Sequence, residues 1–315
     1  MNNRRSFIIG IKSTKLSTPE KKFLKIYKPW GVILFSRNIK NTKQTLELTT
    51  SIRKIFNDKR YPILIDQEGG RINRLKNIIS FENLTSEFFG NKYITNQKEF
   101  IFYYKLFIDK TSYLLKSIGV NINTSPVLDL RVKGTSNVIG DRSFSKDPKI
   151  VSKIGDYCIQ FFHQNSIGSV IKHIPGHGLA KVDSHFYTPI VNKKLSYLLK
   201  NDFFPFKNKK AFFAMTGHII FNKIDSQNTV THSKKMIKLI RNKIGFKNLI
   251  ISDDLSMKSL KGSISENTIK TFNSGCNIVL HCNGDLKEME IVGKNSPLIN
   301  KFILKKTSQF YKILG

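Results

Sequence analysis

Short, almost wholly apolar runs rich in β-branched residues recur along the chain. A polar or glycine-marked turn follows each, and then usually a stretch with apolar residues at three- and four-residue steps. Runs that are apolar on both alternating faces mark strands buried on both sides of a parallel sheet. Eight such runs lie at 6–11, 31–36, 61–66, 119–130, 169–173, 211–218, 248–252 and 277–281. Helical periodicity fills 43–56, behind a Thr42 placed to cap it, then 100–117, 150–164, 234–243, 265–274 and 298–314. No short repeat, heptad array or low-complexity linker interrupts the alternation. The pattern predicts an α/β fold, a single (β/α)8 TIM-type barrel over residues 1–315 as one domain. An open doubly wound sheet is the competing arrangement. It usually carries a glycine-rich phosphate turn after its first strand, whereas the first run here passes into Lys12-Ser13-Thr14-Lys15.

Composition narrows the function classes. With 40% hydrophobic and 24% charged residues the 315-residue chain can bury a core and is not disordered by composition. No apolar run approaches the ~18 residues of a membrane span. The apolar patch before Lys12 is shorter than the ~7–15 residues of a leader's core, so no leader is expected. Cys158, Cys276 and Cys282 form no CxxC pair, which argues against a disulfide framework or a cysteine-rich zinc site and suits a reducing cytoplasm. The net charge of +31 suggests a polyanion partner. Yet only 10 of the 53 basic residues are arginine, the better fork for phosphate and base edges, and the lysines are spread over the whole chain. Lys, Asn, Ile and Phe are abundant together and share A/T-rich codons. The charge is therefore read as genomic bias, with no specific nucleic-acid and no membrane partner expected.

Chemistry in such a barrel sits at the C-terminal ends of the strands. Asp66, Glu68, Asp129, Lys172, His173, His177, His218, Asp253, Asp254 and His281 all fall there. The densest group is Lys172-His173-Ile174-Pro175-Gly176-His177-Gly178, followed by Asp183-Ser184-His185. It can hold a metal, form an acid–base pair in which Asp183 orients His185, or be structural. No H-x-x-x-H helical pair is present, and the glycines make a poor rigid cage, so no metal and no cofactor is expected. In Ser252-Asp253-Asp254-Leu255 the two side chains diverge: one can enter the barrel mouth while the other caps or pairs, or both can cap a helix from Leu255. In Asp66-Gln67-Glu68-Gly69-Gly70-Arg71-Ile72-Asn73-Arg74, Asp66 can grip a diol and Arg74 can anchor an acyl or carboxylate group. A solvated Gly-Gly turn is the plainer alternative. Arg142, in Gly140-Asp141-Arg142-Ser143-Phe144, is a weak signal alone.

Taken in order, K-H-x-P-G-H-G, D-S-H, S-D-D-L-S-M, D-Q-E-G-G-R and G-D-R-S-F resemble glycoside hydrolase family 3, in particular its bacterial β-N-acetylglucosaminidases, from about residue 31 to 283. The resemblance implies an exo-acting retaining hydrolase that removes terminal β-linked N-acetylglucosamine from muropeptides in the cytoplasm, a step of peptidoglycan recycling. It further implies Asp253 as nucleophile, His185 with Asp183 as acid/base dyad, and Asp66, Arg74, Arg142, Lys172 and His173 as sugar ligands, in a monomer. Two places depart from the family pattern: Met215-Thr216-Gly217-His218, where a proline-alanine pair is common before the histidine, and Ile174, where an aromatic is frequent. Two rivals stand beside this reading, a phosphorylase on the same scaffold and a decayed, polyanion-binding barrel.

Overall fold

Every predicted strand lies at least partly in one closed sheet. The computed structural model describes residues 3–315. The chain begins with β1 (Arg5–Gly10), α1 (Thr18–Tyr27), β2 (Pro29–Leu34), α2 (Thr42–Phe56) and β3 (Ile63–Ile65). It continues through α3 (Ser86–Thr95), α4 (Gln97–Ser117), β4 (Ile122–Asn123), α5 (Pro148–Gln164), β5 (Gly168–Ile174), β6 (Ile190–Val191) and α6 (Leu195–Lys200). β7 (Phe213–Thr216), β8 (Ile220–Phe221), α7 (Lys234–Leu239), β9 (Leu249–Asp254) and α8 (Ile264–Ser274) follow, and β10 (Ile278–His281), α9 (Leu286–Asn295) and α10 (Lys301–Tyr311) close it. The barrel order is β1-β10-β9-β7-β5-β4-β3-β2, all parallel, and β6 pairs with β8 in a separate parallel ribbon.

The double burial read from the sequence has a direct cause. Ile8, Ile33, Leu64, Ile122, Val170, Phe213, Leu249 and Ile278 belong to one apolar cluster with Trp30, Phe310 and Tyr311. Their strand neighbours Phe7, Ile9, Val32, Leu34, Ile63, Ile65 and Ile171 belong to a second cluster shared with the helices. Successive side chains of a strand point to opposite faces, so one set fills the barrel and the other packs the helical ring. Trp30 Nε1 donates to Thr307 Oγ1 of α10 at 2.9 Å, which satisfies the buried indole. Among the described residues no helix is long and apolar enough to cross a membrane.

Three expectations need correction. The fourth run, predicted as a strand over 119–130, forms a ladder only at Ile122–Asn123. Pro126 has no N–H to give, and pairing to β5 resumes beyond it, where Leu128 N donates to Lys172 O at 2.8 Å. The Asn123 side chain completes the edge instead, accepting from Gln67 N at 3.0 Å and donating to Gln67 O at 2.8 Å. The helix predicted over 234–243 is α only to Leu239, after which Ile240–Ile244 widens into a π turn. No helix starts at Leu255; turns lead to α8, which Ser263 caps.

Candidate active site

The strand ends converge on a cavity of about 120 Å³ lined by seven of the eight predicted residues: Asp66, Arg74, Arg142, Lys172, His173, His185 and Asp253. The eighth, Asp183, stands behind His185. Larger cavities elsewhere, of about 560 and 570 Å³, lack such a set of ionised groups.

One wall is an ion network. Lys172 Nζ, buried at the end of β5, lies 3.1 Å from Asp66 Oδ1, 2.6 Å from Glu68 Oε1 and 3.0 Å from Thr124 Oγ1. Thr124 Oγ1 also donates to Asp66 Oδ1. Arg142 grips Glu68 with both arms of its fork, Nε to Oε2 and Nη2 to Oε1, each at 2.8 Å. Arg74 Nη2 is 3.5 Å from Asp66 Oδ2, and its guanidinium lies 5.4 Å from the centre of the Phe35 ring. Burial pushes the Glu68 carboxyl up, but Arg142 and Lys172 outweigh it and hold it at about 2. Asp66 is likewise raised by burial and lowered further by Lys172 and Arg74, ending well below the carboxylate range. Both are therefore fixed anions at neutral pH. The turn that swings Glu68 beneath Arg142 relies on Gly69, at φ +97°, where a Cβ would also strike the Leu84 carbonyl.

A second wall is organised by Asp129, which is fully buried. It accepts from His177 N at 2.7 Å, from His173 N at 3.2 Å and from His173 Nδ1 at 2.6 Å. The His173 proton is thereby placed on Nδ1, leaving Nε2 free. His177 lines the cavity with both ring nitrogens buried and unpartnered. Burial and the neighbouring His173 lower it to about 4, so it is a neutral imidazole.

The paired aspartates divide as the diverging side chains require. Asp253, half-buried at the end of β9, faces the cavity and accepts from Asp254 N at 2.8 Å. Burial raises its carboxyl, but His218, His173, that N–H and Lys172 together bring it below its ordinary value. Asp254 holds the turn by accepting from Ser256 N at 3.1 Å, Ser256 Oγ at 2.7 Å and Cys282 N at 3.1 Å. His218 donates Nε2–H to the Asp254 carbonyl at 3.0 Å and accepts from Thr231 Oγ1 at 2.7 Å.

On the loop after β5, Asp183 Oδ1 accepts from His185 Nδ1 at 2.7 Å and from His185 N at 2.8 Å. The pair is formed although the imidazole is 61% exposed. Partial burial raises Asp183, and the two hydrogen bonds from His185 bring it below its ordinary value. The loop is tied to the turn after β9 through Lys258 N donating to His185 O and Thr188 Oγ1 donating to Ser259 O.

Sequence reasoning assigned no role to Glu68, Thr124 or Asp129, and left His177 with the open alternatives of the histidine cluster. Glu68 and Asp129 carried a signal, a carboxylate at a strand end, but their work is to position cations and histidines from strands far away in sequence. No three His, Cys, Asp or Glu side chains cluster as a metal cage among the described residues.

Comparison with known proteins finds the same family and fold. The Glycosyl hydrolase family 3 N terminal domain matches residues 8–296. A β-hexosaminidase of Haemophilus influenzae is 33% identical over 285 residues, 88% of this chain and 79% of that protein. The crystal structure of native NagZ from Neisseria gonorrhoeae is similar at a TM-score of 0.87 and 27% identity, covering 98% of this chain and 90% of that one. The same protein in complex with N-trifluoroacetyl-D-glucosamine is similar at a TM-score of 0.87 and 26% identity, with the same coverage.

Proposed function

Since this chain belongs to glycoside hydrolase family 3 and is a glycoside hydrolase of the NagZ-type β-hexosaminidase kind, we propose that it is an exo-acting retaining β-N-acetylglucosaminidase. Its substrate is the terminal non-reducing N-acetylglucosamine of GlcNAc-1,6-anhydroMurNAc peptides, cleaved in the cytoplasm during peptidoglycan recycling by a monomeric, single-domain enzyme. The observation that carries the reading is an Asp-paired histidine opening onto the same small cavity as an ionised carboxylate.

The chemistry follows from the groups. The Asp253 carboxylate attacks the anomeric carbon while His185 gives its Nε2 proton to the departing oxygen, leaving the sugar esterified to Asp253. Asp183 holds the imidazole by Nδ1 and steadies the imidazolium. Water then attacks the anomeric carbon as His185 takes its proton, the bond to Asp253 breaks and the carboxylate is released, so two inversions at that carbon retain the configuration. Asp66, Arg74, Lys172, Arg142 and His173 bind the sugar's hydroxyl and acyl groups. Glu68 holds Lys172 and Arg142 in place, so that each can give hydrogen bonds to ligand oxygens. At about 120 Å³ the cavity is small beside the ~300–1,000 Å³ of most ligand pockets, which favours a single end sugar and exo action. Three free cysteines suit a reducing compartment.

The test is product analysis on GlcNAc-anhydroMurNAc-peptide. The reading expects free N-acetylglucosamine released first as the β-anomer, followed by NMR. Release as a sugar phosphate in phosphate buffer would favour phosphorolysis, and an α-anomer would defeat the covalent step.

A further inference from the structure

Beside the dyad loop lies a cleft of about 570 Å³ whose lining includes Tyr187, Thr229, His232, Ser259, Lys261 and Lys270. No Asp or Glu side chain lines it. Lys261 and Lys270 are exposed and form no ion pair among the described residues. The nearby Glu266 is engaged with Ser263, its Oε2 accepting from N at 2.8 Å and from Oγ at 3.1 Å. The Thr229 and Ser259 hydroxyls and His232 Nε2 are buried without hydrogen-bond partners. A smaller cavity continues past Lys270 and His232 to Lys234 and Lys235; its one carboxylate, Asp225, accepts from Gln227 N, Asn228 N and Ser233 Oγ. The cleft therefore combines cations with uncommitted hydrogen-bonding groups and an exposed tyrosine ring, which suits a flexible anionic ligand with amide and carboxylate groups.

Its position gives the ligand an identity. His185 lines the sugar cavity and Tyr187 lines the cleft, so the two share one loop. Two residues of chain reach at most about 7 Å between Cα atoms, so one short stretch of loop borders both the cavity and the cleft. Resting on the muropeptide reading above, we propose that this cleft is the subsite for the carboxylate-bearing peptide of the aglycone. The lysines meet the peptide carboxylates while the sugar occupies the cavity. The loop that carries the dyad is the shared wall, anchored to the cleft floor by Thr188 Oγ1 to Ser259 O at 2.7 Å.

The test compares the wild type with Lys261→Ala/Lys270→Ala and Lys261→Glu/Lys270→Glu on two substrates. One is a neutral aryl β-N-acetylglucosaminide, the other GlcNAc-anhydroMurNAc carrying a tetrapeptide. Expected are unchanged kinetics on the aryl glycoside and a KM on the peptide substrate raised about three- to tenfold by alanine and further by glutamate, since exposed ion pairs are individually weak. The difference should fade in high salt. An unchanged KM on the peptide substrate overturns the subsite, and so does an equal loss on both substrates, which would signify a structural role. A wild type active on the aryl glycoside but inert on the peptide substrate refutes the muropeptide reading itself, and the subsite with it.

Discussion

Glu68→Gln isolates the ion network under the sugar cavity. The substitution keeps the size of the side chain and removes the charge that Arg142 grips at two atoms and Lys172 at one. Removing one partner of a buried ion pair costs about 3–5 kcal/mol. A second route gives a similar figure. The Glu68 carboxyl sits at about 2 against an ordinary 4.5, a difference worth about 3 kcal/mol in the folded state. The pKa is depressed, so this stability is fully present above pH 4.5 and is lost as pH falls through the window down to about 2. Urea unfolding at pH 7 should show the variant less stable by about 3 kcal/mol. Between pH 4.5 and 2 its stability should fall less steeply than that of the wild type. Some slope should persist, because Asp66 is also depressed. On an aryl glycoside KM should rise, because Lys172 and Arg142 lose their anchor. A variant within 1 kcal/mol of the wild type at pH 7, with the same acid slope, would refute the reasoning, and Glu68 would be a spectator.

Asp253→Ala should abolish turnover with the fold intact, and a slow-leaving fluorinated sugar should label Asp253 by mass spectrometry; labelling of Asp254 would reverse the assignment. His185→Ala should lose far more rate on a natural disaccharide than on an aryl glycoside in the glycosylation step, on the order of 10²–10⁴-fold for one general acid, and equal losses with no burst would reduce His185 to a binding residue. EDTA should leave activity unchanged; loss that zinc restores would make the histidines metal ligands. Burial holds His163, His177 and His232 at about 4 against an ordinary 6.5, so the unfolded chain binds more protons between those values and stability should fall as pH drops through that window. A stability profile flat from pH 6.5 to 4 would contradict their burial in neutral form.

What the sequence disclosed depended on whether a feature repeats locally. The strands were legible because barrel strands are covered on both faces, so Phe7-Ile8-Ile9 or Leu249-Ile250-Ile251 stand out as unbroken apolar runs. The capping box of Ser17 and Glu20 that starts α1 was equally local, but α1, α3, α6 and α9 are ten residues or fewer, too short for their periodicity to stand out, and all four were missed. Asp183 and His185 could be paired from spacing, because a carboxylate two residues from an imidazole can reach it through one turn. Glu68 and Arg142 could not, because 74 positions separate them and only the parallel pairing of β3 with β4 brings the loops that follow these strands to one mouth. The same holds for Asp129, which fixes the tautomer of a histidine 44 residues later. A motif therefore names reactive groups at the strand ends, and the fold adds the buried counter-charges that set where those groups point. In this chain the counter-charges outnumber what the motifs suggest. Lys172 alone serves Asp66, Glu68 and Thr124, so its charge is bound to the wall before a sugar arrives. Ligand hydroxyls must then enter an existing network of charge-assisted hydrogen bonds. That is the condition under which a small pocket discriminates by geometry: a misplaced hydroxyl leaves buried ions unpaired, and the cost of an unpaired buried group exceeds the gain from a satisfied one.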